Sequence, residues 1–197
     1  MSEDQNQIMT PDDLSAAQFQ IQKLYAKDVS FECPNAPQIF QDAGQADVKM
    51  SLAQRVDDLG ENLHEVVLTV TVTATIEDKT AYLAEVAQAG IFMMSGFNEQ
   101  AAHAVMNTMC PGTLFPYARR VISEMVSEGG FPPLTLQPVN FEQLYAQRMQ
   151  EMAKEQSGEQ AGEAVAGQGN GEIVDAEFPT DDLNFFNIIL KENESHL

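Results

Sequence analysis

The side chains best suited to chemistry are few and scattered. The chain holds three histidines, His64, His103 and His196, and two cysteines, Cys33 and Cys110. None stands at a metal-ligand spacing, and two unconnected thiols make neither a zinc cluster nor a disulfide framework. They suit a reducing compartment. Cys110 follows His103 by about two helical turns, which would place both on one helix face as a thiol–imidazole dyad. A small buried cysteine beside Pro111 is the favoured account of the same residues. Asp57 and Asp58 adjoin, but neighbours on an extended chain point apart, so they read as a turn. There is no phosphate loop and no dinucleotide fingerprint. The sequence therefore points away from enzyme chemistry, with no metal and no cofactor expected.

Charge narrows the partners. Thirty acidic residues against ten Lys and Arg give a net charge of -20 over 197 residues. Such a surface repels nucleic acid and anionic lipid and favours basic partners. No run approaches the roughly 20 apolar residues of a membrane span. The start, Met1-Ser2-Glu3-Asp4, has neither a basic n-region nor an apolar h-region, so the expectation is a cytoplasmic protein.

The element that must position everything else is Glu65–Thr75. Val66, Leu68, Val70, Val72 and Ala74 alternate with mostly threonine. That period of two predicts a central strand with one face in a core. Glu77–Thr80 is a turn, and Ala81–Val86 returns as the next strand. Upstream, Phe19–Glu32 alternates as a long first strand, bulged near Lys27-Asp28, with carboxylates at Asp28 and Glu32 on one face. Pro34–Ala46 is an irregular crossover whose sizeable apolar pair is Ile39 and Phe40. Asp47–Leu52 is the second strand, closed by a turn at Asp57–Gly60.

Beyond Gly90 the alternation fails. Ile91–Phe97 reads as a buried turn or helical entry. Asn98 caps a first helix over Glu99–Met106, stopped at Cys110-Pro111-Gly112. Pro116 fits the first turn of a second helix with a stripe at Leu114, Tyr117, Ala118, Val121, Ile122, Met125 and Val126, ended by Gly129-Gly130. Three prolines force Phe131–Val139 to be extended. Asn140 caps a third helix, with Gln143 at the capping-box position. The fold class is thus α+β: a four-stranded antiparallel sheet, helices packed on one face, and disordered acidic tails. Domain limits are a disordered arm over 1–17, a folded domain over 18–156, a flexible Gly/Gln/Glu/Ala linker over 157–177, and a possible short docking helix over 178–197.

Several long motifs identify a family. Phe19-Gln20-Ile21-Gln22 with Tyr25–Pro37, then Glu65–Ala74, Gly90-Ile91-Phe92, Cys110-Pro111, Leu114–Arg119 and Phe131–Phe141 closely resemble the SecB protein-export chaperones. The match runs in order over about residues 18–152. The resemblance implies a helix-backed four-stranded sheet and a homotetramer built as a dimer of dimers. It implies a chaperone that holds unfolded precursor proteins and delivers them to SecA, the translocation ATPase, without ATP or metal of its own. It carries the SecA contact onto Asp28, Glu32, Leu83 and Glu85. It carries client binding onto Phe40, Phe131, Leu134, Leu136 and Phe141. It puts interfaces between copies near Val86 and Gln88 and over Cys110–Arg119. The alternative is a SecB-like holdase serving a non-export client such as an antitoxin. The segment Leu183–Leu190 departs from the family pattern.

Overall fold

The computed structural model describes residues 17–163 and 188–191, with side chains over 17–154. Four long strands form the sheet: β1 (Gln18–Glu32), β2 (Asp47–Gly60), β3 (Leu63–Ile76) and β4 (Lys79–Ser95). A fifth, β5 (Ile188–Lys191), is short. The order is β1-β4-β3-β2-β5, and every neighbouring pair is antiparallel. The expected four-stranded sheet is present, with β3 and β4 both interior.

Two-residue turns join the β2–β3 and β3–β4 hairpins. Glu61 and Asn62 have φ of 51° and 62°, and Glu77 and Asp78 have 48° and 62°. Paired positive φ values give the turn whose twist suits two antiparallel strands. The first turn therefore falls at Glu61-Asn62, and Asp57–Gly60 is strand. The reason is register: Asp57 and Asp58 pair with Glu65 and His64.

Strand β4 also runs further than its pattern implies. It continues through Gly90 to Ser95, so Ile91–Ser95 is strand and not a turn or helical entry. β1 and β3 satisfy both of its edges, and an interior strand need not alternate cleanly. Gly90 is required here: a Cβ would meet the Phe92 ring at 2.6 Å.

Helix α1 (Glu99–Asn107) begins as expected, with the Asn98 side chain accepting from the Ala101 N–H at 2.8 Å. It breaks at Thr108. Cys110, Pro111 and Gly112 form the first turn of α2 (Met109–Glu128), where Pro111 needs no backbone donor. Pro116 accordingly lies inside α2 instead of opening it. It has no N–H to donate to the Gly112 carbonyl, and Gly112 is exposed. Helix α3 (Phe141–Glu163) is capped by the Asn140 Oδ1, which accepts from the Gln143 N–H at 3.0 Å. α3 extends through residues 157–163, expected as linker.

The core lies between α2 and one face of the sheet. Leu114, Phe115, Ala118, Ile122 and Val126 of α2 pack on Val66, Leu68, Val70 and Val72 of β3 and Ala84 and Val86 of β4. Each fully buried Val or Leu contributes roughly 1.5–3 kcal/mol. Tyr117 is exposed and Phe115 takes the inward place, because the buried row follows Pro111, Leu114, Phe115, Ala118, Ile122 and Val126 and leaves Tyr117 beyond its edge. Buried Gln54 ties β2 to the end of α1, donating to the Met106 carbonyl and Asn107 Oδ1, both at 3.1 Å. Val86 and Gln88 are covered within the single chain, at 0% and 4% exposure, and lie on the interior strand β4 and not at a sheet edge. Of the helix expected over 178–197, the portion Ile188–Lys191 is instead a strand on the free edge of β2. The rest of that segment, the arm over 1–16 and residues 164–177 lie outside the described residues.

Candidate functional site

The sheet has one covered face and one open face, and register decides which residues the open face presents. Glu32 pairs with Leu83, Ser30 with Glu85 and Asp28 with Ala87 across β1 and β4. From the other side, Thr71 pairs with Glu85 and Thr73 with Leu83. Paired residues of an antiparallel ladder share a face. Val86 and Ala84 lie in the core, so their neighbours Leu83, Glu85 and Ala87 point to the open side. The structure thus brings Asp28, Glu32, Leu83 and Glu85 together at one corner. Asp28 and Glu32 are exposed; Leu83 and Glu85 are half-buried. The Thr71 hydroxyl donates to Glu85 Oε2 at 2.7 Å and fixes that carboxylate. Among the described residues none of the three acids is in an ion pair.

A bulge makes this grouping possible. The β1–β4 register shifts between Ala26 and Asp28. The extra residue, Lys27, changes the parity of β1, so that Tyr25 and Asp28 both reach the open face despite their odd separation. The bulge sits where the sequence placed it.

What anchors the bulge was not foreseen. Glu65 of β3 is 8% exposed, yet it lies on the open face. Tyr25 Oη donates to Glu65 Oε1, and Lys27 Nζ reaches Glu65 Oε2 at 2.6 Å. Arg55 Nη2 lies 3.7 Å from the same oxygen and 3.0 Å from Asp57. The hydrogen bond from Lys27, then that from Tyr25, holds the Glu65 carboxyl below the usual carboxylate range against the opposing effect of burial. The Tyr25 phenol is pushed up to about 12, first by its hydrogen bond to Glu65 and then by burial. The signal available in the sequence was a carboxylate at the mouth of the most apolar strand.

A second surface lies at the end of the sheet nearest the crossover. Phe31 and Tyr82 stack with ring centroids 5.9 Å apart, Tyr82 meets Phe131 at 4.9 Å, and Phe131 meets Phe40 at 5.2 Å. Gly129 permits this approach, since a Cβ there would meet Phe31 at 2.3 Å. Phe40 ends the row 51% exposed. Phe131 and Leu134 are half-buried. Leu136 and Phe141, also expected at the client groove, are core residues of the single chain at 0% and 4% exposure. Packing against the sheet-facing side of α2 encloses them; Phe141 meets Phe115 edge-on at 6.0 Å. Phe141 also edges an open cleft of about 520 Å3 between Met109, Gly112, Thr113, Pro138 and Val139.

The thiol–imidazole pairing is not assembled. His103 lies in α1 and Cys110 in α2. His103 Nδ1 is 3.0 Å from Tyr145 Oη, and burial lowers its pKa. Burial pushes the Cys110 thiol up to about 12, far from a thiolate at neutral pH. Among the described residues no three His, Cys, Asp or Glu side chains group as a metal site, and no helix is long and apolar enough to cross a membrane.

The family described as preprotein translocase subunit SecB matches residues 12–152. The protein-export protein SecB of Xanthomonas oryzae pv. oryzae is 49% identical over 81% of this chain and 96% of its own length. That of Nitrosococcus oceani is 47% identical over 77% and 93%. A SecB-like chaperone of Mycobacterium tuberculosis, solved with a peptide from an antitoxin, shares the fold: TM-score 0.53, 19% identity, 64% of this chain and 93% of that one. This chain belongs to the SecB family of protein-export chaperones.

Proposed function

We propose that this chaperone works in the cytoplasm as a homotetramer, holds unfolded precursor proteins at its aromatic row, and delivers them to SecA through the open face of the sheet. The observation that carries the delivery role is the register gathering Asp28, Glu32 and Glu85 around half-buried Leu83. Three carboxylates in no ion pair among the described residues, beside an apolar contact, suit a partner surface that is basic with an apolar centre. Solvated strand surface is the competing account of three acids. The fixed Glu85 carboxylate and the bulge-dependent placement of Asp28 favour a built surface.

Client capture draws on Phe40, Phe131 and Leu134. Burying apolar side chains of an extended chain gains roughly 25 cal/mol per Å2 without reading sequence. Repetition around a tetramer then adds avidity. Slow-folding chains are selected because they stay extended long enough to be caught.

Native mass spectrometry tests capture and assembly together. The expected result is a species of about 87 kDa, four chains of 21.7 kDa, that retains an unfolded polypeptide and ignores its folded form. A monomer, or a tetramer indifferent to folding state, contradicts the proposal.

A further inference from the structure

The two edges of the sheet are built differently. β1 is interrupted by register shifts at Ile21/Lys23 and Ala26/Asp28 and carries Lys23, Lys27, Asp28 and Glu32. Bulges and charges of this kind discourage strand addition. β2 has no proline, and its one register shift lies at its far end, Asp58/Gly60. From Met50 to Gln54 it carries no charge. Such an edge offers a row of backbone donors and acceptors to any extended chain.

β5 lands on that unprotected stretch. Lys49 pairs with Lys191, Met50 with Leu190, Ser51 with Ile189 and Leu52 with Ile188. The run Ile188-Ile189-Leu190 has strand-forming residues. Yet the pairing is weak by construction. It spans four residues, and its register sets two lysines opposite each other. Like charges at paired positions oppose the ladder. What favours occupancy is that β5 belongs to the same chain as β2, so the pairing is intramolecular and is not diluted by solution concentration.

We propose that the β2 edge around Lys49–Leu52 is a strand-addition site for extended polypeptide, and that Ile188–Lys191 is its resident, displaceable occupant. The tail closes the edge between clients and yields it to a chain able to pair over more residues. Naming the client as the displacing chain rests on the chaperone reading; the edge contact itself does not.

Hydrogen exchange on the full-length protein tests it, comparing the natural chain with an Ile189→Pro/Leu190→Pro variant, which cannot form β5. The natural chain is expected to protect the outward amides of residues 49–52, and the variant to exchange them at least about tenfold faster. A synthetic peptide spanning residues 183–194 is expected to restore that protection in the variant. Lys191→Glu is expected to slow exchange severalfold by turning a like-charge pair into an opposite one. Equal rates in the natural and proline-containing chains overturn the site. Failure of an unfolded precursor to protect residues 49–52 in the variant overturns its role toward clients. Capture of the same precursor, followed by native mass spectrometry, tests the chaperone reading separately.

Discussion

The two faces of the sheet use the same strands to opposite ends. On the covered face, Val66, Leu68, Val70 and Val72 of β3 and Ala84 and Val86 of β4 are apolar and fully buried beneath α2. On the open face the intervening positions are mostly threonine, carboxylate and small residues with Val67 and Leu83 among them, and Glu65 is the one charged group there that approaches full burial among the described residues, within a hydrogen-bonded cluster. The covered face sets stability, and the open face is the one proposed to meet a partner. Substitutions on the two should therefore separate: one should move unfolding, the other binding.

The largest effect belongs to the covered face. Leu68→Ala empties a fully buried site in β3 and is expected to cost about 2–5 kcal/mol, read from chemical denaturation. Comparable stability in that variant would mean that the faces are not energetically distinct. Gly90→Ala probes the same face by overpacking. The new methyl meets the Phe92 ring, fully buried and stacked on Phe19 at 5.5 Å, so a loss of about 1–3 kcal/mol is expected in the same assay.

Glu65→Gln sharpens the comparison, because it tests the single buried charge of the open face. Near neutral pH it is expected to cost about 1–3 kcal/mol by removing charge-assisted bonds to Lys27 and Tyr25. Its pH dependence has a definite sign. The folded carboxyl is held below 4.5, so its stabilisation is present above that value and is lost as pH falls through the lower folded value. The gap between natural chain and variant should therefore close in acid. At the other extreme, Tyr25, raised from 10.0 to about 12, contributes stability that is lost as pH rises between those values. A gap that stays constant from pH 7 to pH 3 would remove the charge from the explanation.

The smallest effect on stability is expected from Asp28→Ala/Glu85→Ala. Both side chains lie at or near the solvent, and the pair should change unfolding by about 1 kcal/mol at most. Its consequence should fall on binding.

Legibility in the sequence followed the same division. The β3 period of two reports burial directly, so the covered face was readable residue by residue. The corner acids were placed by family resemblance, and the bulge at Lys27 by a break in alternation. Glu65 was not readable as a hub, because its partners Tyr25, Lys27 and Arg55 come from two other strands and only register unites them. The depth of Leu136 and Phe141 was not readable for a related reason: residue type shows that a side chain is apolar, whereas burial depends on where α2 packs. Tyr117 and Phe115 flank the same stripe on opposite sides, and only the packing of α2 on the sheet shows that Phe115 is the one enclosed. At the end of the chain, Ile188–Leu190 fits either a helical stripe or a short strand. The open edge of β2, invisible in a local pattern, decides for the strand.

Titration of SecA against the natural chain and the Asp28→Ala/Glu85→Ala variant by calorimetry, with capture of an unfolded polypeptide measured on the same preparations, addresses the division of labour most directly. The expected result is a SecA affinity weakened about tenfold or more in the variant, with client capture and unfolding unchanged. Equal SecA affinity in the two proteins would contradict delivery through the open face.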